Sequence, residues 1–106
     1  MSVAAKPKLS TARMRAAAGE AAAALRVLAN EDRLLLLCEL SQGEKSVSDL
    51  EEALGLHQPS LSQQLGVLRA EGLVSTRRDG KFIHYSVADR KALALLDTLY
   101  RLYCRS

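Results

Sequence analysis

Two short helical patterns separated by only a few residues, and followed at once by strand alternation, constrain this chain more than any other feature. Ser46 opens a helix over Val47 to Leu54, Gly55 closes it, and Leu56-His57-Gln58 forms a short turn. The next helix runs from Gln58 or Pro59 to Glu71, since proline suits a first turn where a missing N–H costs little. Gly72 stops it. Val74, Thr76 and Arg78 then alternate with Ser75 and Arg77, and Asp79-Gly80 is a strong two-residue hairpin signal. With Asp79-Gly80 as the loop, Arg78 faces Lys81, Thr76 faces Ile83 and Val74 faces Tyr85, which places Val74, Ile83, Tyr85 and Val87 on the core face. Two helices joined by a short turn and backed by a hairpin predict a winged helix-turn-helix.

The flanking segments are helical. Ser10 or Thr11 caps an alanine-rich helix to about Leu28, whose few large apolar groups are Met14, Leu25 and Leu28. Asn30 caps a second helix, Glu31 to about Leu40, which is apolar nearly all round and is therefore expected at the centre. Asp89 caps a last helix reaching about Cys104. The expected fold is mainly α with a β-hairpin wing, in the order α-α-α-α-β-β-α. Residues 1–9 read as a flexible tail and 10–106 as one DNA-binding and dimerisation domain.

Composition narrows the function classes. The chain has 106 residues and a formal net charge of +3, which permits a polyanionic partner without requiring one. No stretch approaches the roughly 18 apolar residues of a membrane span. Glu20 and Arg26 interrupt the alanine-rich start, so it does not read as an export signal. The expected location is the cytoplasm, where Cys38 and Cys104 are reduced at rest. No phosphate loop, zinc-spaced cysteine pairs or paired acids appear, so no enzyme and no cofactor are expected.

Helical angles divide the second helix of the helix-turn-helix into two faces. Leu61, Leu65 and Leu68 point inward, while Pro59, Ser60, Ser62, Gln63 and Gly66 point outward. The outward face is polar, compact and uncharged, whereas a merely solvated face more often carries Lys and Glu. Glutamine can make bidentate contacts to adenine and serine can bond several bases. The candidate DNA contacts are His57, Gln58, Ser60, Ser62, Gln63 and Gln64, with Arg77, Arg78 and Lys81 on the wing reaching phosphates or a minor groove. The expected partner is palindromic double-stranded DNA.

The last helix carries two apolar stripes. Leu93, Leu96, Tyr100 and Cys104 lie close in helical angle, and Leu95, Leu99 and Leu102 lie opposite. One stripe can serve the protomer's own core. The other needs a partner, so Leu95, Leu99 and Leu102 are candidate homodimer contacts, with the first helix of a second chain beside them.

The segments Leu28-Ala29-Asn30-Glu31-Asp32-Arg33-Leu34, Pro59-Ser60-Leu61-Ser62-Gln63-Gln64-Leu65, Leu68-Arg69-Ala70-Glu71-Gly72-Leu73-Val74 and Arg78-Asp79-Gly80-Lys81 together resemble the arsenic-repressor (ArsR-type) family of winged-helix regulators over about residues 20–104. The resemblance implies a dimeric repressor that leaves its operator when an inducer binds. Metal-sensing members place cysteines at the start of the third helix or Asp and His along the last. Here Ser46-Val47-Ser48-Asp49-Leu50 holds serines and the last helix has Asp97 but no histidine, so no metal site is expected. Cys38, Cys104 and the ending Tyr100-Arg101-Leu102-Tyr103-Cys104 resemble the persulfide-responsive branch. That implies a dithiol switch answering a persulfide or related reactive sulfur species by forming a disulfide or polysulfide bridge. Two buried thiols acting as small hydrophobes remain the alternative from the residues alone. A redox- or metalloid-responsive regulator of the same fold remains another.

Overall fold

A computed structural model describes residues 10–104. The loose tail expected over residues 1–9 lies outside the described residues, as do residues 105–106. The elements in order are α1 (Thr11–Leu28), α2 (Glu31–Leu40), β1 (Lys45–Ser46), α3 (Val47–Leu54), α4 (Ser60–Ala70), β2 (Val74–Asp79), β3 (Phe82–Val87), α5 (Arg90–Leu99) and a π-helical turn over Tyr100–Cys104. This is the winged helix-turn-helix, with one strand more than the sequence suggested.

Local chemistry accounts for the helix starts. Ser10 Oγ accepts from the Arg13 amide at 3.2 Å, Asn30 Oδ1 from Arg33 at 3.0 Å and Asp89 Oδ1 from Ala92 at 3.0 Å. Each satisfies one donor that the first helical turn leaves unpaired. At α3 the cap is reciprocal: the Asp49 amide donates to Ser46 Oγ at 3.2 Å, and the Ser46 amide donates to Asp49 Oδ2 at 3.1 Å. Gly55 ends α3 at φ 68°, a left-handed conformation that a residue with a Cβ adopts at a cost.

The Ser46–Asp49 box sets the start of the helix-turn-helix, so its loss is measurable. Ser46→Ala should destabilise the fold by about 0.5–2 kcal/mol, read as a lower urea midpoint. The hydrogen bonds from Ser46 hold the Asp49 carboxyl below its ordinary range. A carboxyl lowered in the folded state stabilises above its unfolded pKa, and that contribution disappears as pH falls through the folded value. Asp49→Asn removes that carboxylate, so the gap in stability between wild type and Asp49→Asn should narrow in acid.

The sheet order is β1-β3-β2, all antiparallel. Strand β1, only two residues long, pairs Lys45 with Tyr85 and Ser46 with His84. Two residues carry no readable alternation, which is why the strand is absent from the sequence reading. The hairpin register also differs from expectation: Val74 pairs with Val87, Thr76 with Tyr85, Arg78 with Ile83 and Asp79 with Phe82. The loop is Gly80-Lys81 rather than Asp79-Gly80. Only glycines have positive φ among the described residues, and Gly80 sits at 62°. A turn with glycine first meets that demand, whereas an Asp79-Gly80 loop of the common type would force Asp79 to positive φ. The shift is two residues, so Val74, Ile83, Tyr85 and Val87 keep the same face.

The core is built largely from leucine. Leu36, Leu37, Leu50, Leu61, Leu65 and Leu68 are almost fully buried, joined by Leu28, Leu40, Leu73, Val74, Ala92 and Leu96. Helix α2 is less central than its composition suggested. Leu36, Leu37 and Leu40 are buried, but Leu35 is 39 % exposed and Cys38 is exposed as well. Leu35 and Cys38 are three residues apart and share a helix face.

Helix α1 joins the body only through its last turns. Residues Thr11 to Ala21 are exposed all round, as are Met14 and Leu25, and Leu28 is the one buried residue of the helix. Helix α5 contributes Ala92 and Leu96 to the core, with Leu95 packed against it. The chain does not continue as a plain α-helix to Cys104. From Tyr100 it widens to π geometry, which changes the angular phase. Tyr100 at 57 % and Leu102 at 69 % on that turn are exposed, as is Leu93 at 39 % within α5.

Candidate nucleic-acid interface and thiol pair

Helix α4 is fixed from below by Leu61, Leu65 and Leu68, all buried, so the opposite face must point outward. His57, Gln58, Ser60, Ser62 and Gln63 are exposed there. The Ser62 hydroxyl donates to Gln58 Oε1, linking the turn to the helix. The Leu61 amide donates to the His57 carbonyl at 3.0 Å, which continues the helical hydrogen bonding into the turn. The exposed face holds no charged side chain between His57 and Gly66. It offers neutral donors and acceptors to whatever docks on it.

Gln64 departs from the expectation. It is half-buried, and its Oε1 accepts from Arg33 Nη1 at 3.1 Å. It sits on the flank between the outward face and the core, where α2 reaches it.

The wing cations also separate into two kinds. Arg77 is not free: Nε donates to both Glu44 oxygens at 3.1 and 3.2 Å, and Nη2 donates to Oε1 at 2.7 Å. This bidentate pair holds the Glu44 carboxyl below its ordinary range and raises Arg77, mainly through the hydrogen bonds themselves. Arg77 pairs with His84 in the sheet, and His84 pairs with Ser46. The Arg77 side chain therefore crosses β3 to reach the residue just before β1, and it braces the wing. Arg78 and Lys81 differ. Both are exposed; Arg78 Nε donates to the Gly80 carbonyl at 3.1 Å, and Lys81 Nζ lies 5.9 Å from the centroid of the Phe82 ring. Phe82 is itself 50 % exposed beside the tip, a position the sequence reading left unassigned.

The two thiols are both free and exposed, which does not fit the alternative of two buried thiols acting as small hydrophobes. The Cys38 thiol is pushed up, first by loss of solvent around the sulfur and second by the charge of Cys104. That second effect requires the two sulfurs to lie within electrostatic reach. Helix α2 and the final π turn carry one thiol each, 66 positions apart in the chain (104 minus 38). Among the described residues, no group of three or more His, Cys, Asp or Glu side chains converges to hold a metal ion.

Leu95 and Leu99 line the space between α1 and α5. One hollow of about 970 Å³ is bordered by Ala17, Ala21, Ala24, Leu28 and Leu95, and a neighbouring one of about 280 Å³ by Leu25, Leu34, Leu95 and Leu99. Lys91 Nζ reaches Glu20 Oε1 at 2.7 Å across the rim. Leu95 and Leu99 are half-buried, and Leu102 lies beyond them on the π turn. Among the described residues, no helix is long and apolar enough to cross a membrane.

Known proteins are similar to this chain in sequence and in fold. Residues 30–76 match the family described as bacterial regulatory protein, arsR family. The biofilm growth-associated repressor of Agrobacterium fabrum is 52 % identical over 87 residues, covering 82 % of this chain and 74 % of that protein. The crystal structure of the transcriptional repressor BigR from Xylella fastidiosa superposes with a TM-score of 0.83 at 45 % identity, covering 90 % of this chain and 94 % of that one. A homodimeric winged helix-turn-helix DNA-binding domain from Mycobacterium bovis superposes with a TM-score of 0.72 at 30 % identity, covering 92 % and 89 %. With the fold, the helix-turn-helix and the wing in place, the chain belongs to the ArsR family of winged-helix transcriptional regulators.

Proposed function

We propose that the chain is a cytoplasmic, homodimeric repressor that binds palindromic operator DNA and releases it when Cys38 and Cys104 are bridged by reactive sulfur. The carrying observation is the exposed, charge-free face of α4 beside the cationic tip of the wing. A helix of this kind enters a major groove with Ser60, Ser62 and Gln63 toward base edges, while Arg78 and Lys81 meet phosphates. The names of the Agrobacterium and Xylella relatives support repression, and the homodimeric Mycobacterium domain supports a dimer. Two copies present two α4 helices, and their spacing decides whether both fit successive grooves of one duplex.

The inducer chemistry balances with sulfane sulfur as the oxidant. A Cys104 thiolate takes the outer sulfur of an organic persulfide and expels the parent thiol, leaving a Cys104 persulfide. Attack by Cys38 at the Cys104 sulfur expels hydrosulfide and closes a disulfide. When both thiols are persulfidated, one attacks the other's inner sulfur, expels hydrosulfide and closes a trisulfide.

Two substitutions test the DNA reading. Gln63→Ala should lower preference among operator sequences by about 1–3 kcal/mol, the value of a bidentate base contact. Arg78→Ala should weaken binding to every duplex and flatten the salt dependence by about one unit. Titrations at several salt concentrations, on operator and random duplexes, separate the two. Equal losses on both duplexes for Gln63→Ala would remove it from base readout.

A further inference from the structure

We propose that Arg33 and Gln64 form the joint that sets α4 at a fixed angle to α1, so that Gln64 positions the recognition helix and does not read a base. The role of the joint rests on the DNA-binding reading above; its existence does not.

Helix α1 ends with carbonyls that have no partner within the helix. The Leu25 carbonyl takes the Ala29 amide and the Leu28 carbonyl takes the Asn30 amide. The Val27 carbonyl instead accepts from Arg33 Nε at 2.6 Å. The same guanidinium then donates through Nη1 to Gln64 Oε1 at 3.1 Å. Arg33 is itself anchored, because its backbone amide is held by the Asn30 cap at 3.0 Å. One half-buried side chain on α2 thus grips the end of α1 with one nitrogen and α4 with another. Helices α1 and α4 scarcely touch directly. Among the described residues, no other side chain hydrogen-bonds to both.

The chemistry of the fork matters. A guanidinium holds its donors in one rigid plane, so two acceptors bound to it are fixed relative to each other, whereas a lysine ammonium on a flexible stem fixes neither. Gln64 Oε1 is committed to this plane. Gln63, one position earlier, is exposed, and its side chain makes no hydrogen bond to the described residues, while its backbone amide donates to the Pro59 carbonyl at 3.1 Å. Adjacent glutamines thus take different tasks. Helix α1 is exposed over most of its length and waits for a second copy, so the joint relates the angle of α4 to whatever α1 packs against.

A double-mutant cycle in urea, without DNA, tests the joint. Arg33→Ala and Gln64→Ala should be non-additive, with a coupling of about fivefold in the unfolding constant. On operator DNA, Gln64→Ala should lower affinity by about 2–10-fold, with the salt slope and the preference at every base position unchanged. Arg33→Lys keeps the charge and the fold and should lower affinity similarly, with little further loss when combined with Gln64→Ala. Additive unfolding effects overturn the joint, whether or not the chain binds DNA. A change of preference at one operator position in Gln64→Ala makes Gln64 a base reader and overturns its positioning role. A salt slope flatter by one unit in Arg33→Ala makes Arg33 a phosphate contact and overturns it equally. Coupling in urea together with no binding of any duplex by wild type removes the DNA-binding reading, and with it the purpose of the joint, while the joint itself stands.

Discussion

An organic persulfide is expected to lower the operator affinity of the wild-type protein by roughly 5–150-fold, the range of coupling energies in known switches, and to leave Cys38→Ser and Cys104→Ser bound to DNA. The expectation follows from where the two sulfurs sit. Cys38 is on α2, which packs on α4, and Cys104 ends the chain's last helical segment beyond α5. A covalent link between them ties the element supporting the recognition helix to the turn that continues α5, the helix bordering the α1–α5 hollow. A direct disulfide needs Cα atoms within about 7 Å, and each inserted sulfur relaxes that demand. The raised Cys38 thiol adds a kinetic signature. Because its thiolate is scarce at neutral pH, bridge closure by Cys38 should accelerate as pH rises above the ordinary thiol range. Binding titrations of the three proteins, with intact mass measured before and after persulfide, give the answer. Unchanged wild-type affinity, or release that persists in both serine variants, would remove the sensor while leaving the DNA-binding reading in place.

The second large effect concerns assembly. Leu99→Glu should convert the protein to monomers at micromolar concentration. Leu99 is half-buried in a single chain and lines an apolar hollow with Leu25, Leu34 and Leu95. A second copy closing over that hollow would trap the carboxylate away from water, which costs at least about 3 kcal/mol, or more than roughly a hundredfold in dissociation constant. Leu102→Glu is the companion variant, since Leu102 is 69 % exposed and its change leaves the protomer's own packing intact. Sedimentation velocity reports the state directly, and far-UV circular dichroism verifies folding. A dimer that survives both substitutions places the interface elsewhere.

Elements whose signals are local were legible in the sequence. Asn30, Ser46 and Asp89 cap the helices they were expected to cap, and Gly55 ends α3, because each of these acts within three or four residues of its own position. The inward leucines of α4 follow from helical period alone. The hairpin was readable as a hairpin, but its register turned on which residue takes positive φ at Gly80, a choice of one position that composition leaves open. Strand β1 was too short to have a period. The site was legible as a face and a tip, not as a set of partners. Arg33 finds Gln64 across 31 positions and Arg77 finds Glu44 across 33, and nothing local announces either pairing. Helix α2 misled through composition: four consecutive leucines suggest burial on all sides, yet a protomer this small covers only part of such a helix.

The brace between Arg77 and Glu44 has a consequence for how the protein would travel on DNA. A cation that already holds a carboxylate in a bidentate grip gains little by exchanging it for a phosphate of similar geometry. It displaces few condensed counterions, and counterion release drives sequence-independent adhesion. The wing therefore presents fewer working charges to random DNA than its three basic residues suggest. Weaker adhesion to random sequence shortens each wrong stop. On the proposed DNA-binding reading, such a wing favours rapid sampling of many sites over long residence at any one of them, and retention at an operator would fall to the uncharged face of α4.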